Sequence, residues 1–330
     1  MLAPTLNALR ANPMADIVFR ELTGNNLPHV LIVRNQNELI DQSISQFGNT
    51  AAYFGTGLIM DKALDQIPKL LKQPITAQTK PWFIFGKSLS IFSLIASVNY
   101  AMPFLRNYIT TKRTGTTHYA DMIGEKKHLN TTQTNINEKL AEDKKTFLHR
   151  VSLGAGISAL STLATTALMR AKAPVPKAVS FFNKHLGLLN GSFKKFRALP
   201  AVLFWVIPTY SGLLSGARDK YETQELALRF AAFNLAFFVF PHTIEKAIEK
   251  ATERVKPTKL LGPETNKNLA YLGKFASSIV FCSAIPTVLN IYLTRQRIKR
   301  DQAAKIREQK PEQQKMKEQL QSLVYFFLAT

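Results

Sequence analysis

The chain has 330 residues, 43 Lys or Arg against 22 Asp or Glu, a formal net charge of +21 and a mean hydropathy of −0.05. Its one cysteine, Cys282, excludes an intrachain disulfide and a cysteine-only metal site. The length suits one large or two ordinary soluble domains, or a bundle of about six membrane helices; the apolar residues cluster into charge-free runs between Lys-rich segments, which favours the bundle.

Residues 1–46 read as a small polar head. Met1–Val18 has no basic segment followed by an apolar run, so no cleavable secretory leader is expected. Leu27–Arg34 is a short apolar run that suits a strand or a buried turn, and Asn35–Phe47 places Leu39, Ile40, Ile44 and Phe47 at helical spacing.

Residues 47–113 read as a first helical hairpin. Gln42–Met60 is uncharged but polar, and it is a weak span when taken alone. Asp61–Lys72 is an amphipathic extension in which Asp61 and Asp65 are expected to pair with Lys62 and Lys69 at the surface. Ser88–Leu105 is a strong span, with Trp82 and Phe83 before it at interface depth, a buried amide at Asn99 and a kink at Pro103.

Residues 114–146 read as a polar, basic connection whose centre, 128–145, suits either a mobile segment or a solvated helix. Residues 147–220 form a second hairpin. Its first helix, Val151–Met169, is rich in small residues, and Gly154 with Ser158 predicts a face for close helix packing. Its second, Ala198–Ala217, carries Trp205 and a kink at Pro208.

Residues 221–300 form a third hairpin. Leu226–Ile244 contains Asn234, and Arg229 near its end is expected to snorkel to the interface. Phe275–Leu293 is 19 residues without a charge, about 28 Å as a helix against roughly 30 Å of hydrocarbon. It carries a kink at Pro286 and an intramembrane amide at Asn290. Arg295, Arg297, Lys299 and Arg300 follow at once and predict contact with anionic headgroups. No aromatic side chain interleaves with them, so nucleic acid is not an expected partner. Residues 301–330 form a basic helical tail interrupted at Pro311.

Ala52–Lys72 aligns without gaps on Ala236–Lys256, a shift of 184 positions. Ala101, Pro103, Asn107 and Thr111 align on Ala284, Pro286, Asn290 and Thr294, a shift of 183. Such long-period similarity indicates internal repeats. The expected fold is therefore all-α: a polytopic helical membrane bundle of about six helices in three hairpin repeats. With six spans, the side of the termini holds 24 of the 43 Lys and Arg and the other side 19, a small excess toward cytoplasmic termini.

Motifs for chemistry are missing. The histidines, His29, His118, His128, His149, His185 and His242, include no pair at helical spacing, and no HExxH, GxSxG or phosphate-loop pattern occurs. No catalytic, cofactor or metal residue is assigned, and no cofactor is expected. Two function classes remain. One is a non-catalytic membrane protein that organises lipid or protein contacts, including a second copy of itself, through basic loops. The alternative is a small-solute transporter or channel. The absence of a charge deep in any span argues against ion coupling.

Overall fold

The structure is a computed structural model that describes residues 2–70, 72, 74–125, 133–195, 198–234, 239–253 and 263–329. The start of the 128–145 connection and the centre of the Leu226–Ile244 run, 235–238, lie outside these residues. The described chain is helical, with no strand. In order it comprises α1 (Leu2–Ala11), α2 (Pro13–Phe19), α3 (Leu27–Leu31), α4 (Gln36–Leu70), α5 (Lys80–Thr114), α6 (Tyr119–Met122), α7 (Gln133–Arg170), α8 (Lys177–His185), α9 (Ala198–Ala201), α10 (Ile207–Ser215), α11 (Lys220–Phe233), α12 (Phe240–Glu253), α13 (Pro263–Ser277) and α14 (Ile285–Ala329).

Local chemistry explains several boundaries. Asn12 caps α2 by accepting from the Met14 and Ala15 amides, with Pro13 at the first helical position. Asp219 caps α11 through the Tyr221 and Glu222 amides. α5 stops at Gly115, whose φ of +67° suits a residue without a Cβ.

Among the described residues three complete π-helical turns, Arg20–Asn26, Val202–Val206 and Ser278–Ala284, join α2 to α3, α9 to α10 and α13 to α14. Each ends just before a proline. The amides of Leu27, Ile207 and Ile285 reach back five residues, to the carbonyls of Leu22, Val202 and Val280, and Pro28, Pro208 and Pro286 follow. Proline lacks an N–H and its ring crowds the carbonyl one turn earlier, and a widened turn relieves that crowding. Pro103 has no such turn and sits in an uninterrupted α5. The sequence equivalence of Pro103 and Pro286 is therefore not matched by the backbone. Two other expectations also change. Leu27–Leu31 is helix rather than strand, and α14 runs unbroken through Pro311.

Asp61 contacts Lys87 at one end of the α4–α5 pair, and Asp41 contacts Arg106 and Thr110 at the other, so the two helices are antiparallel. α7 packs along α5 through small residues. Gly154 lies against Ser97, the Ser158 carbonyl accepts from Ser90 Oγ at 3.0 Å, and Gly86 leaves room for Thr165. α10 meets α5 backbone to backbone at Gly212, where a Cβ would come within 2.6 Å of the Tyr100 carbonyl oxygen.

Lys80–Thr114, Gln133–Arg170 and Glu264–Ala304 are each long and apolar enough to cross a membrane. Their outer faces fit that property. Leu153, Ile157, Leu160 and Leu163 of α7 are exposed, as are Ile285, Val288, Leu289 and Tyr292 of α14. The interior holds Asp41, Asn99, Arg106, Asn290 and Thr294, all buried. These polar side chains share the interior with an apolar core that includes Tyr53, Phe54, Ile91, Ile95, Trp205 and Phe233.

Candidate functional site

α4 orders the site along its length. Its buried face presents Glu38 and Asp41, then Gln42, Ser45 and Asn49, then Tyr53 and Phe54, and finally Asp61. Asp41 and Asp61 are 20 residues apart, about 30 Å along a helix, and no charge lies between them. A charged layer forms around each end.

The first layer is built from two matching clamps. The Arg34 amide and Nε donate to Glu38 Oε2 at 2.6 and 2.9 Å, and Arg34 Nη2 donates to Glu38 Oε1 at 2.6 Å. The Arg218 amide and Nε donate to Glu222 Oε2 at 2.7 and 3.1 Å, and Arg218 Nη2 donates to Glu222 Oε1 at 2.9 Å. Each arginine then crosses to the other clamp's helix. Arg218 makes a bidentate pair with Asp41 at 3.0 and 3.0 Å, and Arg34 makes one with Glu225 at 2.9 and 3.1 Å. Thr110 donates to Asp41 at 2.9 Å and Thr294 donates to Glu225 at 2.6 Å. Arg34 and Arg218, Glu38 and Glu222, Asp41 and Glu225, and Thr110 and Thr294 are each 184 positions apart.

Arg106 completes one side of this layer, 2.7 Å from Glu222 and 3.7 Å from Asp41, and Arg229 the other, 3.7 Å from Glu225. Four arginines thus face four carboxylates, and bidentate geometry offsets the large cost of burying each charge. Burial raises the Glu222 carboxyl, but Arg106 and Arg218 outweigh it and hold it well below the usual carboxylate range.

Tyr119 of α6 sits between the clamps. Arg34 lies 5.4 Å and Arg218 5.3 Å from its ring centre, and its hydroxyl accepts from Arg34 at 2.6 Å and donates to Glu225 at 2.9 Å. Asn35 Nδ2 donates to the Met122 carbonyl and the Ala120 amide donates to Asp219. Gly115 and Gly124, both at positive φ, flank this short helix.

Below the clamps lies a cavity of mixed polar and apolar lining with about 40 Å³ of room for the centres of water-sized molecules, enough for a few waters. Arg106, Tyr119 and Glu222 close it on the clamp side; Glu21, Gln42, Ser45, Asn49 and Arg229 give it polar walls; Trp205, Tyr210 and Phe233 line the remainder. Trp205 stacks on Tyr53 at 4.5 Å, and Tyr53 meets Phe54 edge-on, so aromatic rings separate the cavity from the second charged layer. That layer is Lys87, buried and 2.7 Å from Asp61 and 2.6 Å from Asp65, with Asp61 also accepting from the Phe193 amide.

Two sequence expectations are corrected here. Asp61 is buried against Lys87 of the neighbouring helix instead of pairing at the surface. Arg229 does not snorkel: it is buried, donating to Gln42 at 2.8 Å. Lys87 and Arg106, the residues that flank the Ser88–Leu105 run, are buried as well.

The other singled-out residues are dispersed. Asn99 donates to the Ile95 carbonyl at 2.9 Å and accepts from Thr209 at 3.4 Å. Asn290 donates to the Glu225 carbonyl at 3.1 Å, beside the clamps, and half-buried Asn234 donates to the Phe230 carbonyl. Arg295 pairs with Glu125 at 2.6 Å, Arg297 is half-buried, and Lys299 and Arg300 are exposed. Arg34, Glu38, Asp41, Arg218, Glu222 and Glu225 were not anticipated. Their signal is present as Arg-Asn-x-x-Glu-x-x-Asp and Arg-Asp-x-x-Glu-x-x-Glu, at the same 184-residue offset as the apolar repeat. Comparison of the chain with family models, curated proteins and solved structures finds no match.

Proposed function

We propose that this chain is a multi-spanning membrane carrier for a small polar solute, working by conformational change without a cofactor or covalent chemistry. One observation carries this reading: a cavity with several buried polar side chains in its wall lies directly against one of two buried charged layers that are about one hydrocarbon thickness apart on α4. Buried charges inside membrane helices are costly, and they mark solute paths more often than packing.

In this reading the clamps form one gate and Lys87 with Asp61 belongs to the other. α6 is the plug of the first gate, swinging on Gly115 and Gly124 when the arginines release Tyr119. The offset shared by every clamp partner supports two structural repeats rather than three, each contributing one Arg–Glu clamp and one crossing carboxylate. α7 then stands outside the repeats as a lipid-facing brace on α5, and exposed Lys299 and Arg300 rest against anionic headgroups.

The test is reconstitution in liposomes and a flux screen over small organic solutes. Flux that saturates, and that falls at least tenfold in Arg218→Gln while the protein stays folded, is the expected result. A folded, reconstituted protein that moves none of them overturns the carrier and returns the chain to a membrane organiser acting through its basic surface.

A further inference from the structure

We infer that the cavity between the charged layers binds a small zwitterion carrying a primary ammonium and a carboxylate, the chemistry of a short-chain amino acid. The inference rests on the carrier reading and names its substrate class.

The cavity residues divide by whether their polar atoms are already engaged. Arg106 and Glu222 are spent on each other and on the clamps. Three other side chains, all more than nine-tenths buried, are only half spent. Glu21 Oε1 accepts from Asn25 at 3.0 Å and Thr50 at 3.4 Å, whereas Oε2 has no partner. Arg229 donates through Nη1 to Gln42 and sets Nη2 toward Glu225, whereas its Nε–H has no acceptor. Asn49 donates to the Ser45 carbonyl, and its Oδ1 accepts from nothing.

Leaving such atoms unpaired when buried is unfavourable, so their gathering around one cavity points to a polar partner there. The open set is asymmetric: one cationic donor and two acceptors, one of them a carboxylate. A monovalent anion satisfies Arg229 and leaves Glu21 facing like charge. A simple cation does the reverse. A zwitterion satisfies both, its carboxylate taking the Arg229 Nε–H and its ammonium donating to Glu21 and Asn49. It also adds no net charge to the chamber. Trp205, Tyr210 and Phe233 supply the apolar wall for a short side chain.

The experiment uses the full chain in detergent and in liposomes, with alanine and serine as probes and propionate, ethylamine and glycine betaine as controls. Betaine keeps both charges but has no N–H to donate. Expected are calorimetric binding of alanine or serine, at least tenfold weaker binding of every control, and at least tenfold loss in Glu21→Gln and in Asn49→Ala. Asn49→Ala keeps the inference testable if the charge variant fails to fold. Equal binding of propionate or ethylamine overturns the zwitterion, and equal binding of betaine overturns the primary ammonium. Flux of some other solute with no amino-acid binding overturns it and leaves the carrier standing. Amino-acid binding without flux upholds the ligand and overturns the carrier.

Discussion

Asp41 shows how much one carboxylate carries in this protein. It receives Arg218 bidentately, Thr110 at 2.9 Å and Arg106 at 3.7 Å, and it is fully buried. Asp41→Asn leaves two arginines facing too little negative charge, and breaking a buried pair from one side costs about 3–5 kcal/mol. Chemical unfolding in detergent should show that loss. Asp41→Asn combined with Arg218→Gln should cost less than the two single changes together, because the double change removes the surplus charge. Strict additivity would mean that the contact carries no coupling. Glu222 gives a pH dependence. Its carboxyl is held below the ordinary 4.5 by Arg106 and Arg218, so its contribution is complete above that value and is lost as pH falls below it. The thermal midpoint should drop on acidification below about pH 4.5, and Glu222→Gln should flatten that drop at the expense of stability near neutrality.

At the scale of elements, glycine separates close packing from open surface. Gly212→Ala sets a Cβ 2.6 Å from the Tyr100 carbonyl oxygen, a backbone atom that cannot rotate aside, so α10 must back away from α5. A cost of about 1–3 kcal/mol is expected from such overpacking. Gly156→Ala, on the exposed face of α7 with nothing within 4 Å, should be neutral or stabilising by up to about 1 kcal/mol, since alanine favours helix. Thermal unfolding of the two variants side by side checks both signs. The same packing shows which part of the site was legible in sequence. Gly154 and Ser158 carry the spacing of a close-packed face, and both are buried against α5. The widened turns before Pro28, Pro208 and Pro286 were not legible, because the proline announces a broken hydrogen bond without saying how the backbone absorbs it.

For the molecule as a whole, the exposed apolar faces of α7 and α14 belong to helices long and apolar enough to cross a membrane. The chain should stay with the membrane pellet through an alkaline carbonate wash, and its release would mean that these faces are covered by protein instead. The 184-residue offset makes a second whole-molecule prediction. In an experimental structure, residues 13–114 and 198–304 should overlay with Arg34 on Arg218 and Asp41 on Glu225. An overlay that fails to bring the two clamps together would remove the two-repeat reading.

The sequence by itself determined the helical class and the concentration of positive charge between apolar runs, because periodicity and composition are local properties; of the roughly six spans it suggests, three helices among the described residues are long and apolar enough to cross a membrane. It did not determine which charges are buried. Asp61 and Asp65 beside Lys62 and Lys69 read as surface pairs, and nothing near Asp61 or Arg34 in the chain marks the long-range partner of either. Those partners lie on other helices, Glu225 for Arg34 and Lys87 for Asp61. Only the antiparallel register of α4 against α5, and the crossing of α4 with α11, brings them within hydrogen-bonding distance. The tertiary structure therefore decided the site, since setting a cavity against a buried charged layer depends on long-range contact that no local pattern encodes.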